Sequence, residues 1–110
     1  MRRGEIWTAA GGVYMTKPRP VLVLQANAFP RAESVTICPI SSDTRSAEAP
    51  LLRVALAADA KSGLAQPSWA MVDKITTVRA KSLTTRVGQV TGKELKTISA
   101  NAAVFLGLAG

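Results

Sequence analysis

Val21-Leu22-Val23-Leu24 is apolar at every position, whereas Ser34-Val35-Thr36-Ile37 alternates polar with apolar. The first pattern belongs to a strand covered on both faces, the second to a strand half buried against a core. Similar short runs, punctuated by turn formers, predict strands at Glu5 to Ala9, Arg19 to Gln25 and Val35 to Ile40, with Gly11-Gly12 as a turn after the first. Further strands are expected at Leu51 to Leu56, Trp69 to Val78 and Arg86 to Val90, which makes about five or six. Ser41 to Pro50, rich in Ser, Asp, Glu and Ala, has no sustained apolar period and predicts an exposed, mobile loop of the kind that often carries function.

Near the end of the chain the period changes. Leu95, Ile98, Ala102, Phe105 and Leu106 fall on one helical face, and Thr91 with Glu94 forms an S/T-x-x-E capping box. A helix is therefore predicted from about Gly92 to Leu106, with Gly107 placed to end it and the apolar stripe covering one side of the core. The whole pattern is mainly β with a C-terminal α-helix, the signature of a small, strongly curved antiparallel barrel or half-barrel.

Composition narrows this further. The 110 residues, 47% of them hydrophobic, suffice for one compact domain spanning 1–110. Fourteen basic residues against seven acidic ones leave a net charge of +7, which favours an anionic partner such as nucleic acid. The single cysteine, Cys38, cannot form an intrachain disulfide and reads as a small buried hydrophobe, consistent with a reducing compartment. The start, MRRGEIW, has no apolar segment behind it of signal-peptide length, and the longest aliphatic run falls far below the roughly 20 residues that span a bilayer. A cytoplasmic protein with no membrane contact is expected. With no histidine and scattered carboxylates, no metal site and no cofactor are expected either.

Several segments, read in order, resemble one family. RGEIW at Arg3 to Trp7, KPRPVLVLQANAF at Lys17 to Phe29, CPISS at Cys38 to Ser42, SGLAQPSWAMVDKITTV from Ser62, and SLTTRVGQVTGKELKTISANAAVFLGL from Ser82 are similar to the successive blocks of the MazF/PemK/Kid toxins, collinear over nearly the whole chain. The resemblance implies an SH3-like small β-barrel with a C-terminal helix and a homodimer. It also implies a toxin of a type II toxin-antitoxin system: a metal-independent, ribosome-independent endoribonuclease that cuts single-stranded RNA at short motifs. The products would be a 2′,3′-cyclic phosphate and a 5′-hydroxyl, and an acidic antitoxin would cover the RNA groove.

Metal-free RNA cleavage needs attack by the 2′-hydroxyl, charge stabilisation on the phosphorane and protonation of the leaving oxygen. Arg19 matches the family's catalytic arginine. Its guanidinium can fork onto two phosphate oxygens, and Pro18 and Pro20 restrict the backbone on either side. Ser41 matches the family's small hydroxyl residue, commonly threonine, and serves as an oxyanion or proton-relay hydroxyl rather than a nucleophile, since no base accompanies it. Read without the family, Arg19 is an ordinary solvated charge, and Ser41 and Ser42 simply end a strand.

Asp73 matches an acidic position of the family and shares a strand face with Trp69, Met71 and Ile75 on a strict period of two, so its carboxylate has to be paired or at a groove edge. Lys74 stands where several relatives have glutamine, and lysine only donates. Lys17, Ser42, Lys74, Arg45, Arg79 and Lys81 are candidate RNA contacts together with Asp73, and Tyr14 is a candidate for stacking on a base. Trp7 and Trp69 could stack on bases in the same way but are read first as core, and Glu5 as an anchor of the amino-terminal loop. Two other functions remain open at this point: a topoisomerase poison of the CcdB type, against which stands an ending in Leu108-Ala109-Gly110 without Trp-Gly-Ile, and a catalytically inactive SH3-like nucleic-acid- or protein-binding module.

Overall fold

The structure, a computed structural model, describes residues 1–11, 17–30 and 32–109. Among these residues, seven strands and one α-helix follow in chain order: β1 (Glu5–Ala9), β2 (Arg19–Val23), β3 (Ser34–Ser41), β4 (Arg53–Leu56), β5 (Ser68–Met71), β6 (Thr76–Arg79), β7 (Leu83–Gln89) and α1 (Gly92–Phe105). All pairings are antiparallel, in the order β4-β5-β3-β2-β1-β7. β3 is long enough to share one edge between two partners: Ile40 and Ser41 pair with β5, and Ser34 to Ile37 pair with β6. The sheet curls into a half-barrel whose outer strands, β4 and β7, do not pair with each other.

The fully apolar run behaves as its pattern requires. Val21, Leu22 and Val23 are all inaccessible, but they feed different cores. Leu22 joins Ile6, Cys38, Ile40 and Ala70 under α1, while Val21 and Val23 pack with Ala9, Val35, Ile37 and Leu83 on the opposite face. Each such aliphatic side chain, buried completely, contributes on the order of 1.5–3 kcal/mol of transfer free energy.

Three expectations change. The segment Trp69 to Val78 is two strands, because a 3-10 turn over Val72–Lys74 interrupts it and lets the chain switch partners along β3. The stretch Ser41 to Pro50 carries a 3-10 turn over Thr44–Glu48, capped by the Asp43 side chain, and buries Ser46. The α1 stripe is core only in part. Ile98 and Ala102 are buried and Leu95 packs against them, but Phe105 and Leu106 are about half exposed, at 48% and 57%. The start of α1 has the expected capping box, Thr91 Oγ1 accepting from Glu94 N–H at 3.0 Å and Glu94 Oε1 from Thr91 N–H at 2.8 Å, and Gly107, at φ +74°, turns the chain at its end.

Two loops are tied down. Glu5 accepts from the Arg2 N–H at 2.8 Å, the Trp7 indole at 3.1 Å and the Arg86 guanidinium at 2.9 Å, anchoring the amino-terminal turn as expected. Burial pushes this carboxyl up, but those three donors outweigh it and hold the pKa at about 2. Between β4 and β5, buried Ser62 Oγ donates to Ala57 O at 2.7 Å, and Asp59 Oδ1 accepts from the Lys61 and Ser62 amides at 3.0 and 2.9 Å. Gly63, at φ +69°, lies so close to β7 that a Cβ there would sit 2.2 Å from Val87 O. This loop is the one that forms the far wall of the groove described next.

Candidate active site

A groove of about 940 Å³ opens where β2, β3, the β4–β5 loop and the β5–β6 turn converge. Arg19 and Ser41 reach it by register. β2 and β3 pair Val21 with Pro39, Leu22 with Cys38 and Val23 with Ile37, so two more residues along this antiparallel ladder bring Arg19 level with Ser41. Side chains on one face recur every second residue. Val21 and Pro39 therefore line the groove on the same face on which Arg19 and Ser41 stand at its wall. Arg19 is exposed and pairs with no acidic group among the described residues, which leaves its guanidinium available to an anion.

Ser41 and Ser42 both line the groove. Ser41 Oγ accepts from the Asp43 N–H at 3.1 Å, so its orientation is set while its own O–H remains free to donate. Asp43, which sequence reasoning did not single out, also lines the groove and grips Arg45 at 2.6 Å. The Arg45 side chain and backbone N–H hold its carboxyl near a pKa of about 2. The consequence for Arg45 is a change of role: its cation answers Asp43 and does not line the groove.

The 3-10 turn between β5 and β6 separates two neighbours that the sequence places together. Lys74 is exposed and lines the groove, but Asp73 does not. The turn breaks the strand alternation that put Asp73 on a face with Trp69, Met71 and Ile75, and its carboxylate instead accepts a hydrogen bond from Arg53 Nη1 on β4, both side chains 19% exposed. Cys38, wholly buried, has its thiol pushed up to about 12, by burial first and then by the charge of Asp73. It is a packed hydrophobe and not a nucleophile.

Other candidates lie elsewhere. Arg79 pairs with Ser34, at the opposite end of β3 from Ser41, a separation of roughly 20 Å along the strand. Lys81 follows in the next 3-10 turn. Strand direction, which single-residue reading could not supply, takes both away from the groove. Lys17 is exposed just ahead of β2 without lining the groove, and Tyr14 lies outside the described residues. In exchange the groove gains Gln66, Ser68 and Thr76. Gln66 is exposed, its side-chain amide has no partner among the described residues, and its carbonyl accepts from Ser68 Oγ at 2.9 Å. A lone glutamine in a loop gives no sequence signal of such a place. Among the described residues no group of three or more His, Cys, Asp or Glu could hold a metal ion.

Comparison with known proteins gives a consistent set of likenesses. Residues 2–106 match the family model described as the PemK-like, MazF-like toxin of type II toxin-antitoxin systems. The chain is 46% identical, over the full length of both proteins, to a probable endoribonuclease MazF of Mycolicibacterium smegmatis. Among solved structures, it resembles the Mycobacterium tuberculosis toxin MazF-mt6 at 25% identity with a TM-score of 0.78, covering 96% of this chain and 99% of that one. A mycobacterial endoribonuclease in complex with its cognate antitoxin shares the fold over 100% of this chain and 98% of its own, at 21% identity and a TM-score of 0.80. MazF in the MazE-MazF complex of Deinococcus radiodurans does so over 99% and 97%, at 18% identity and a TM-score of 0.77.

Proposed function

Because the chain belongs to the PemK-like, MazF-like toxin family of type II toxin-antitoxin systems, we propose that it is an endoribonuclease whose active centre is the groove walled by Arg19 and Ser41. One observation carries the site assignment: the β2–β3 register brings a guanidinium with no acidic partner among the described residues and a free hydroxyl donor level with each other on adjoining strands.

The reaction these groups support is transesterification within single-stranded RNA. The 2′-oxygen bonds to the adjacent phosphorus, the bond to the 5′-oxygen breaks, and the proton lost by the 2′-hydroxyl is matched by one gained at the leaving oxygen. The products are a 2′,3′-cyclic phosphate and a 5′-hydroxyl. Arg19 holds the charge that grows on the phosphorane oxygens, and Ser41 donates to one of them or relays the proton. Lys74 neutralises a neighbouring phosphate as a point charge, and Ser42 adds a hydroxyl contact. The chain's own donors supply the charge stabilisation, so the reaction proceeds in EDTA.

An acidic antitoxin is the partner proposed for the groove, on the strength of the +7 charge and of a relative solved with its cognate antitoxin. A second copy of the chain is the partner proposed for the remaining surface, with Val104, Phe105, Leu106 and Leu108 exposed at the end of α1. No helix among the described residues is long and apolar enough to cross a membrane, and the proposed place of action is the cytoplasm.

The test is cleavage of a long single-stranded RNA in EDTA by the purified protein and two variants. Arg19→Ala is expected to lower kcat/KM by about 10²–10³-fold and Ser41→Ala by about 10²-fold, with the same fold by circular dichroism. Cleavage indifferent to both substitutions, or dependent on an added divalent ion, overturns the assignment.

A further inference from the structure

The 3-10 turn at Val72–Lys74 points three consecutive residues at three different environments. Val72 is fully buried in the core under α1, and its N–H donates to Leu52 O at 2.8 Å. Asp73 meets Arg53, and Lys74 lines the groove. Arg53 does not line that groove. It borders a separate shallow hollow with Pro50, Trp69 and Lys93, and its backbone is fixed both by pairing with Met71 and by a 2.9 Å bond from its N–H to Ala49 O.

A carboxylate and an ammonium on adjacent residues ordinarily attract each other, and a carboxylate beside a phosphate track repels its ligand. Here both effects are suppressed, because the Asp73 charge is already answered by a guanidinium from β4. We infer that Arg53 is a positioning residue for RNA binding: by holding Asp73 away from the groove it leaves the Lys74 ammonium free to meet a phosphate. This rests on the reading of the groove as the RNA site. Arg53 itself touches no RNA, and its effect passes entirely through Asp73 and Lys74.

The experiment compares wild type, Arg53→Met and Arg53→Met/Asp73→Asn. The Met side chain leaves the Asp73 carboxylate unanswered, and the second substitution removes that carboxylate's charge. Binding is read with an uncleavable 2′-O-methyl single-stranded oligonucleotide across a range of salt. The single variant is expected to bind about 5–10-fold more weakly at 0.15 M salt, with a log–log salt slope shallower by about 1, the loss of one phosphate contact. The double variant is expected to return to within about twofold of wild type.

A merely structural ion pair predicts rescue as well, because removing the Asp73 charge relieves the unpaired carboxylate that Arg53→Met leaves behind. A double variant as weak as the single, or a single variant that binds like wild type, overturns the inference. A readout without RNA keeps the two ideas apart. Acylation of the Lys74 amine by an N-hydroxysuccinimide ester, followed on its peptide by mass spectrometry, should slow about threefold in Arg53→Met and recover in the double variant. Wild-type protein that neither binds nor cuts RNA overturns the reading of the groove, while unchanged Lys74 reactivity across the three proteins overturns the role of Arg53.

Discussion

The groove's one free carboxamide belongs, among the described residues, to Gln66. An amide both donates and accepts, so it can match either kind of group on the edge of a base, where Arg19 and Lys74 can only donate. Gln66→Ala is expected to shift which sequences are cut, seen by mapping cleavage sites on a long RNA, while total turnover falls by less than about tenfold. An unchanged site profile removes Gln66 from base recognition. Glu5 sets a second expectation at this scale, in stability rather than activity. Its folded pKa of about 2 lies below its ordinary 4.5, so the stability it contributes is fully present above about pH 5 and disappears as pH falls toward 2. Urea unfolding of Glu5→Gln beside wild type should show a gap of about 1–2 kcal/mol at pH 6 that closes near pH 2, its size limited because the Arg86 partner is 46% exposed. A gap constant with pH assigns the loss to packing.

Elements decide where these residues stand. The β4–β5 loop reaches the groove only because its base is locked by Asp59 and Ser62 and because Gly63 sits against β7 in a conformation that side chains rarely adopt. Gly63→Ala combines a positive φ with a backbone clash and is expected to cost about 2 kcal/mol or more, lowering Tm by roughly 8 °C or more in a domain of this size. It should also weaken RNA binding at temperatures where the protein stays folded, because Leu64, Ala65 and Gln66 form that wall of the groove. A loss of Tm with unchanged binding means the wall is held by other contacts. Two of the 3-10 turns matter in the same way. The one at Thr44–Glu48 gathers Asp43 and Arg45 into a local pair, and the one at Val72–Lys74 sends neighbours to opposite sides.

At the scale of the molecule, an excess of seven positive charges and a groove in which Arg19 and Lys74 meet no acidic partner among the described residues favour electrostatic binding of an anion. Affinity for the uncleavable oligonucleotide should fall as a power of salt concentration, with an exponent of about 1–2 for two phosphate contacts. A flat salt dependence means binding by stacking alone. What the sequence determined by itself was whatever local pattern controls: the double-sided burial of Val21 to Val23, the capped helix with its glycine stop and the buried thiol, while Arg19 and Ser41 were singled out by the family resemblance. Tertiary structure decided the rest, because it turned on strand direction and partner choice. Arg79 and Lys81 went to the far end of β3, and Phe105 and Leu106 stayed about half exposed. Asp73 left the face that strict alternation assigned it when β3 took two partners on one edge and forced a turn between them, and it met Arg53, twenty residues away in the chain. No pattern within a strand records which residue of another strand will stand beside it, and for this toxin that is what separates Lys74 from its neighbour.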